Sequence, residues 1–202
     1  MTAFVLYARS RVLPATLAVL LGAALAAAWS AWWLQGQPGF DHTARVPVVV
    51  LAPLLTASAV GTSLYTHSDE LDRTAVRPWW PRRLSHLLML TALSTALLAL
   101  AVPGHPDAFG APAMVRNVLG ATGVTAAAAA LLGARLSWLP MTVYTSAVYL
   151  AAPSVPGGHA AIWAWTMQPG PQRAAWAVAL AAFVLGVGLL AARGPRAERR
   201  GM

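Results

Sequence analysis

Apolar positions in this chain fall in long unbroken runs, and polar residues are confined to the stretches between them. Six runs cover residues 12–34, 46–65, 84–102, 113–132, 136–152 and 174–192. At about 1.5 Å of helix rise per residue, each is long enough, or nearly so, to cross a hydrocarbon core of about 30 Å. The pattern predicts an all-α, polytopic integral membrane protein with six transmembrane helices in a cell membrane. Residues 1–192 would form the transmembrane domain, and residues 193–202 a basic tail held near anionic lipid. The first run follows Arg9 and Arg11, and the small residues at 26–28 look like a signal-peptidase site. Because the run continues through Trp32 and Trp33 and five more follow, a retained first helix is expected.

The arginines orient the bundle. Arg9, Arg11, Arg73, Arg77, Arg82, Arg83, Arg135, Arg193, Arg196, Arg199 and Arg200 fall on one side of the alternating spans. Only Arg45, Arg116 and Arg173 fall on the other. Basic residues stay cytoplasmic, so both termini are expected inside. Outward loops then run over 35–45, 103–112 and 153–173. Trp29, Trp32, Trp33, Trp138 and Trp176 sit near span ends, where aromatic belts form. Small residues four apart, Gly22 with Ala26, Gly123 with Ala127 and Ala182 with Gly186, suit close helix crossings. Pro47, Pro53 and Pro140 are expected to kink their helices.

Composition narrows the chemistry. The chain of 202 residues is 58% hydrophobic and 10% charged, against about 25% charged for a soluble domain. It has no cysteine and no lysine. That excludes disulfides, cysteine-ligated metal, a Walker A loop and Schiff-base chemistry. The net charge of +8 belongs to arginines that flank apolar runs, so nucleic acid is not the expected partner. The lipid bilayer is. No cofactor is expected. Asp41 and Asp107 fall outside, and Asp69, Glu70, Asp72 and Glu198 inside, so no carboxylate lies within a span. A proton-coupled antiporter and a carboxylate-based intramembrane enzyme are disfavoured on that ground.

Three polar features carry functional readings. The stretch 67–86 holds Asp69, Glu70, Asp72, Arg73 and Arg77 ahead of Pro78, Trp79 and Trp80, which predicts a short charged helix on the cytoplasmic face. A mixed acidic and basic surface suits docking to a protein, with plain contact to anionic lipid as the alternative. Arg116 and Asn117 lie just inside the fourth span. Arg116 is expected either to snorkel to the headgroups or to point inward and meet an anionic group of a substrate. His42, His105 and His159 share the outer side with Asp41 and Asp107, but without paired-ligand spacing no metal site is expected. Finally, residues 160–167 are apolar, too short to span, and bracketed by Pro153, Pro156, Gly157, Gly158, Pro169, Gly170 and Pro171. They predict either a short helix that dips into the outer leaflet or folds back over the bundle, or an interfacial loop anchored by Trp163 and Trp165.

This organisation resembles a permease subunit of the type 2 class of ATP-binding-cassette (ABC) exporters. The basic, partly apolar stretch 6–14 resembles the family's N-terminal elbow. The charged stretch 67–86 lies where the family has its coupling helix, and the broken apolar stretch 153–171 where it has re-entrant helices. The resemblance implies a non-catalytic half-transporter that pairs with a second permease chain, as a homodimer or heterodimer. It further implies a separate ABC ATPase subunit gripping Asp69, Glu70, Asp72, Arg73 and Arg77, and outward movement of a hydrophobic or amphipathic substrate. A membrane scaffold or assembly protein without transport activity is the alternative, and a membrane-embedded enzyme a third.

Overall fold

The structure, a computed structural model, describes residues 13–65, 80–152 and 156–196. Among these residues the fold is all-α, with seven α-helices and three short 3₁₀ turns. Helix α1 is Leu13–Gln35. A 3₁₀ turn at His42–Arg45 leads into α2, Val46–Ser63. Helix α3 is Trp80–Ala101 and α4 is Ala111–Leu132. A turn at Ala134–Leu136 precedes α5, Leu139–Ala151. The four-residue α6, Ala160–Trp163, and a turn at Trp165–Met167 follow, and α7 is Arg173–Arg193. Five helices, α1 to α4 and α7, are long and apolar enough to cross a membrane. The fifth expected span is shorter: α5 has 13 residues, or about 20 Å of helix.

Helix α4 is the hub. Two-thirds (67%) of its most apolar stretch is buried, against 22% in α1 and in α7. It packs most closely on α7, then on α2 and α3, while α1 packs on α2 and α3. The α4–α7 crossing depends on glycine. A Cβ at Gly186 would overlap the Gly123 carbonyl oxygen, and a Cβ at Gly123 would overlap the backbone of Ala182 and Phe183. Two of the three expected small-residue pairs thus meet each other across one crossing, where bare backbones gain close dispersion contact. The third does not, since nothing lies within 4 Å of a Cβ built at Gly22.

Large apolar side chains remain exposed on several helices. Leu25 and Trp32 of α1, Met89 and Leu100 of α3, Leu150 of α5, and Val184 and Leu185 of α7 all stand clear of the bundle, Leu150 at 90% exposure. Trp29 and Trp33 are exposed as well.

Of the three prolines expected to kink helices, only Pro53 lies inside one. Pro47 and Pro140 occupy the first turns of α2 and α5. There the missing N–H has no helical acceptor to serve and the fixed φ favours initiation, so neither bends a helix. At one end of the bundle, the far end, Arg135 lies over the Tyr65 ring at 4.5 Å and donates to its hydroxyl at 3.0 Å. Arg196 donates from its backbone N–H to Ala129 O and from Nη1 to Leu131 O, both at 3.0 Å. The start of the basic tail therefore caps the last carbonyls of α4, while residues 197–202 lie outside the described residues.

Candidate functional site

The connections 36–45, 102–110 and 156–172 meet at the opposite end, the loop end. The last of these is mostly irregular backbone, and its carbonyls need donors that a helix would otherwise supply. Side chains from three surrounding helices provide them. Tyr144 OH of α5 donates to Trp163 O at 2.6 Å. Asn117 Nδ2 of α4 donates to Thr166 O at 2.7 Å. Arg116, also on α4, donates from Nη2 to Gln168 O at 2.6 Å and from Nη1 to Pro169 O at 2.8 Å. Trp176 Nε1 of α7 donates to Gly170 O at 2.8 Å. The segment also closes on itself and on its neighbour. Gly157 N–H donates to Gln168 Oε1 at 2.8 Å, and Gly170 N–H to Ala108 O at 2.8 Å. Residues 157–170 are thus a built part of the bundle rather than a surface strand of loop.

Asn117 has a second task that explains its position. Pro53 has no N–H, so the carbonyl one turn earlier, Val49 O, loses its helical donor. Asn117 Nδ2 donates to Val49 O at 2.9 Å. Its Oδ1 accepts from Arg116 Nε at 3.1 Å. Both amide hydrogens and the amide oxygen are therefore engaged. Flipping the amide would set Oδ1 against two carbonyl oxygens, so the network dictates its orientation. The Asn117 amide joins three things: the proline break in α2, the irregular segment, and the Arg116 guanidinium.

Arg116 is fully buried, at 0% exposure. It does not snorkel. Its planar fork reaches two successive carbonyls, which a lysine ammonium could not do with the same geometry. Among the described residues no carboxylate pairs with it, and carbonyl and amide oxygens accept its hydrogen bonds. Trp165, an anchor in the interfacial-loop alternative, is a core residue at 3% exposure. A Cβ at Gly120 would collide with its ring, and it stacks on Tyr144 at 6.1 Å. Trp163 does face outward, at 41% exposure.

Beside this network, the other two connections form a ring stack. His42 and His105 lie 3.9 Å apart between centroids, and Phe40 meets His42 edge-on at 5.3 Å. His105 holds a left-handed backbone, φ 45°, next to Gly104 at φ 83°. Thr43 Oγ1 donates to Asp41 Oδ2 at 2.7 Å, and that bond holds the Asp41 carboxyl below its usual range. Two of the three histidines expected outside thus meet, yet no group of three or more metal-ligating side chains forms among the described residues. Arg45 sits beneath the stack, its Cζ 5.6 Å from the Phe40 ring centroid. It is 1% exposed.

At the far end, Ser63 Oγ and His86 Nε2 lie 3.1 Å apart. Because Ser63 Oγ donates to Val60 O at 2.7 Å, its one proton is spent there and the imidazole is the donor. That arrangement does not make Ser63 a nucleophile. Asp69, Glu70, Asp72, Arg73 and Arg77 lie outside the described residues.

The sequence points to Arg116 and Asn117 as unusual but not to their acceptors. One signal for Asn117 is present: a proline inside a helix creates a carbonyl that must find a donor elsewhere. No signal marks Tyr144, Trp176 or the burial of Arg45. Comparison with protein families, curated proteins and solved structures finds no match for this chain.

Proposed function

We propose that this chain is a six-span integral membrane protein with both termini cytoplasmic, serving as the permease subunit of an ATP-driven exporter. A second permease chain completes the transmembrane unit, and a separate ABC ATPase docks on the stretch that holds Asp69, Glu70, Asp72, Arg73 and Arg77. The membrane part rests above all on the apolar side chains left exposed along α1, α3 and α7. In water such a surface would aggregate; in lipid it is solvated. The arginine asymmetry gives the orientation, with the loop end outside. Helix α5 completes its crossing with the turn at Ala134–Leu136. The permease part is supported by the broken apolar segment folded into the bundle just before the last helix.

Because the chain has no cysteine, single cysteines can be added without background. Cysteines at positions 39 and 107 should react with an impermeant maleimide from outside intact cells. A cysteine at position 196 should react only after permeabilisation. Detergent extracts should contain an ATPase subunit, and reversing Asp69, Glu70 and Asp72 together should release it. Recovery of the chain alone, or an ATPase indifferent to the reversal, rejects the permease reading while leaving the topology to stand.

A scaffold without transport is the second reading. It is favoured by one observation: the donors of Asn117 and those that Arg116 has placed are spent on the protein's own oxygens. That reading expects no ATPase in the extract and no substrate-dependent change in the segment 157–170.

A further inference from the structure

The bundle encloses two guanidinium groups at its loop end, and among the described residues only one of them has an acceptor for every nitrogen. Arg116 has oxygen acceptors for all three of its nitrogens. Arg45, at 1% exposure, has none for Nε or Nη1, both of which are buried. Its one close polar-aromatic contact is the Phe40 ring at 5.6 Å. Asp41, the nearest acid in sequence, is exposed and takes its bond from Thr43. Burying Nε and Nη1 with no acceptor among the described residues is costly, and an acceptor from outside these residues would offset that cost.

The surroundings state the chemistry of that partner. Arg45 is the N-cap residue of the 18-residue helix α2, and no side chain caps that terminus. The 3₁₀ turn His42–Arg45 extends that helix, so the positive end of its dipole lies at the start of the turn, within one turn of Arg45. Arg116, a second positive charge with no counter-ion among the described residues, is held at the same end of the bundle through Asn117 and Val49 O, one turn along α2 from Arg45. The stack of Phe40, His42 and His105 leads from the buried guanidinium to exposed His105.

We propose that Arg45 is the charged centre of an oxyanion-binding site at the loop end, taking the phosphate of a lipid headgroup or free phosphate. A phosphate oxygen offers the charged acceptor that a planar guanidinium binds most strongly. The site is independent of whether the chain transports anything.

Thermal unfolding of the full-length chain in uncharged detergent, followed by tryptophan fluorescence, tests this in two arms. One arm titrates sodium phosphate against sodium chloride at equal ionic strength. The other titrates short-chain phosphatidylglycerol against an uncharged diacylglycerol with the same acyl chains. The wild-type Tm should rise in at least one arm beyond its control, and Arg45→Met should weaken that response at least tenfold. A rise in the lipid arm alone identifies a headgroup; a rise with phosphate identifies the free anion as sufficient. With no oxyanion present, Arg45→Met should unfold no earlier than wild type, because it removes an unanswered charge; with oxyanion, the order should reverse. A wild-type Tm that follows its controls in both arms overturns the site, and this holds even if the variant fails to fold. An equal response in the variant overturns it too.

Discussion

Replacing Asn117 by alanine should be among the most damaging single changes in the bundle, and a second substitution should partly repair it. The change removes the donor to Val49 O, the donor to Thr166 O and the acceptor for Arg116 Nε. All of these lie in a buried region, with Val49 at 0% and Thr166 and Asn117 at 1% exposure. Hydrogen bonds between membrane helices measure about 0.6 kcal/mol on average and up to about 1.7, and leaving a buried partner unanswered costs about 1–3 kcal/mol. Three such groups at the low end sum to about 3 kcal/mol. Pro53→Ala restores an N–H one turn beyond Val49, so the carbonyl regains its helical donor. In that background Asn117→Ala should cost about 1 kcal/mol less. The gain in helix propensity from losing proline appears on both sides of the cycle and cancels. Reversible unfolding in mixed micelles, read by circular dichroism on wild type, both single variants and the double variant, gives the coupling. Additivity within about 0.3 kcal/mol would refute the claim that Asn117 answers the carbonyl freed by Pro53.

Arg116→Lys should behave like Arg116→Met rather than like wild type, each losing about 2–4 kcal/mol, because an ammonium cannot serve Gln168 O, Pro169 O and Asn117 Oδ1 from one plane; limited proteolysis should then cut within 156–170 faster than in wild type. Gly186→Ala should destabilise the bundle by about 1–3 kcal/mol through overlap with the Gly123 carbonyl. Gly22→Ala should be neutral or stabilising by about 0.5–1 kcal/mol, since it gains helix propensity and meets nothing; the same unfolding assay checks both. Tyr144→Phe should cost about 1 kcal/mol by stranding Trp163 O, with the stack on Trp165 and its fluorescence unchanged.

The long-range pattern of apolar runs carried most of the fold. Helices α1, α2, α3, α4 and α7 begin and end within a few residues of the expected spans, since an apolar run of that length has few other ways to satisfy its backbone. The short α5 was less legible: Pro140, expected to kink that helix, instead sits in its first turn, and only the position of the preceding turn decides. Gly123 and Gly186 were visible as small residues, but their meeting depends on which faces of α4 and α7 turn together. A periodic pattern cannot give that in a chain so rich in alanine. Trp163 and Trp165 show the same limit at close range. They are two residues apart and chemically identical, yet one faces out and the other covers Gly120. Arg116 reads as a snorkelling residue because its acceptors lie 52 and 53 positions away, beyond the reach of any local rule.

That separation has a consequence for biogenesis in the proposed membrane. Helix α4 emerges from the ribosome carrying Arg116 and Asn117 well before the carbonyls of Thr166, Gln168 and Pro169 that they serve. During that interval an arginine near the end of an inserted helix is expected to stay hydrated or at the interface, since moving an arginine to a helix centre costs about 2.5–3.5 kcal/mol on insertion scales. The hub of the bundle can therefore take its final depth only after the last connection has been made. Truncated nascent chains ending near position 150 should hold α4 shallower than chains ending near position 195, so the innermost helix would be among the last to settle.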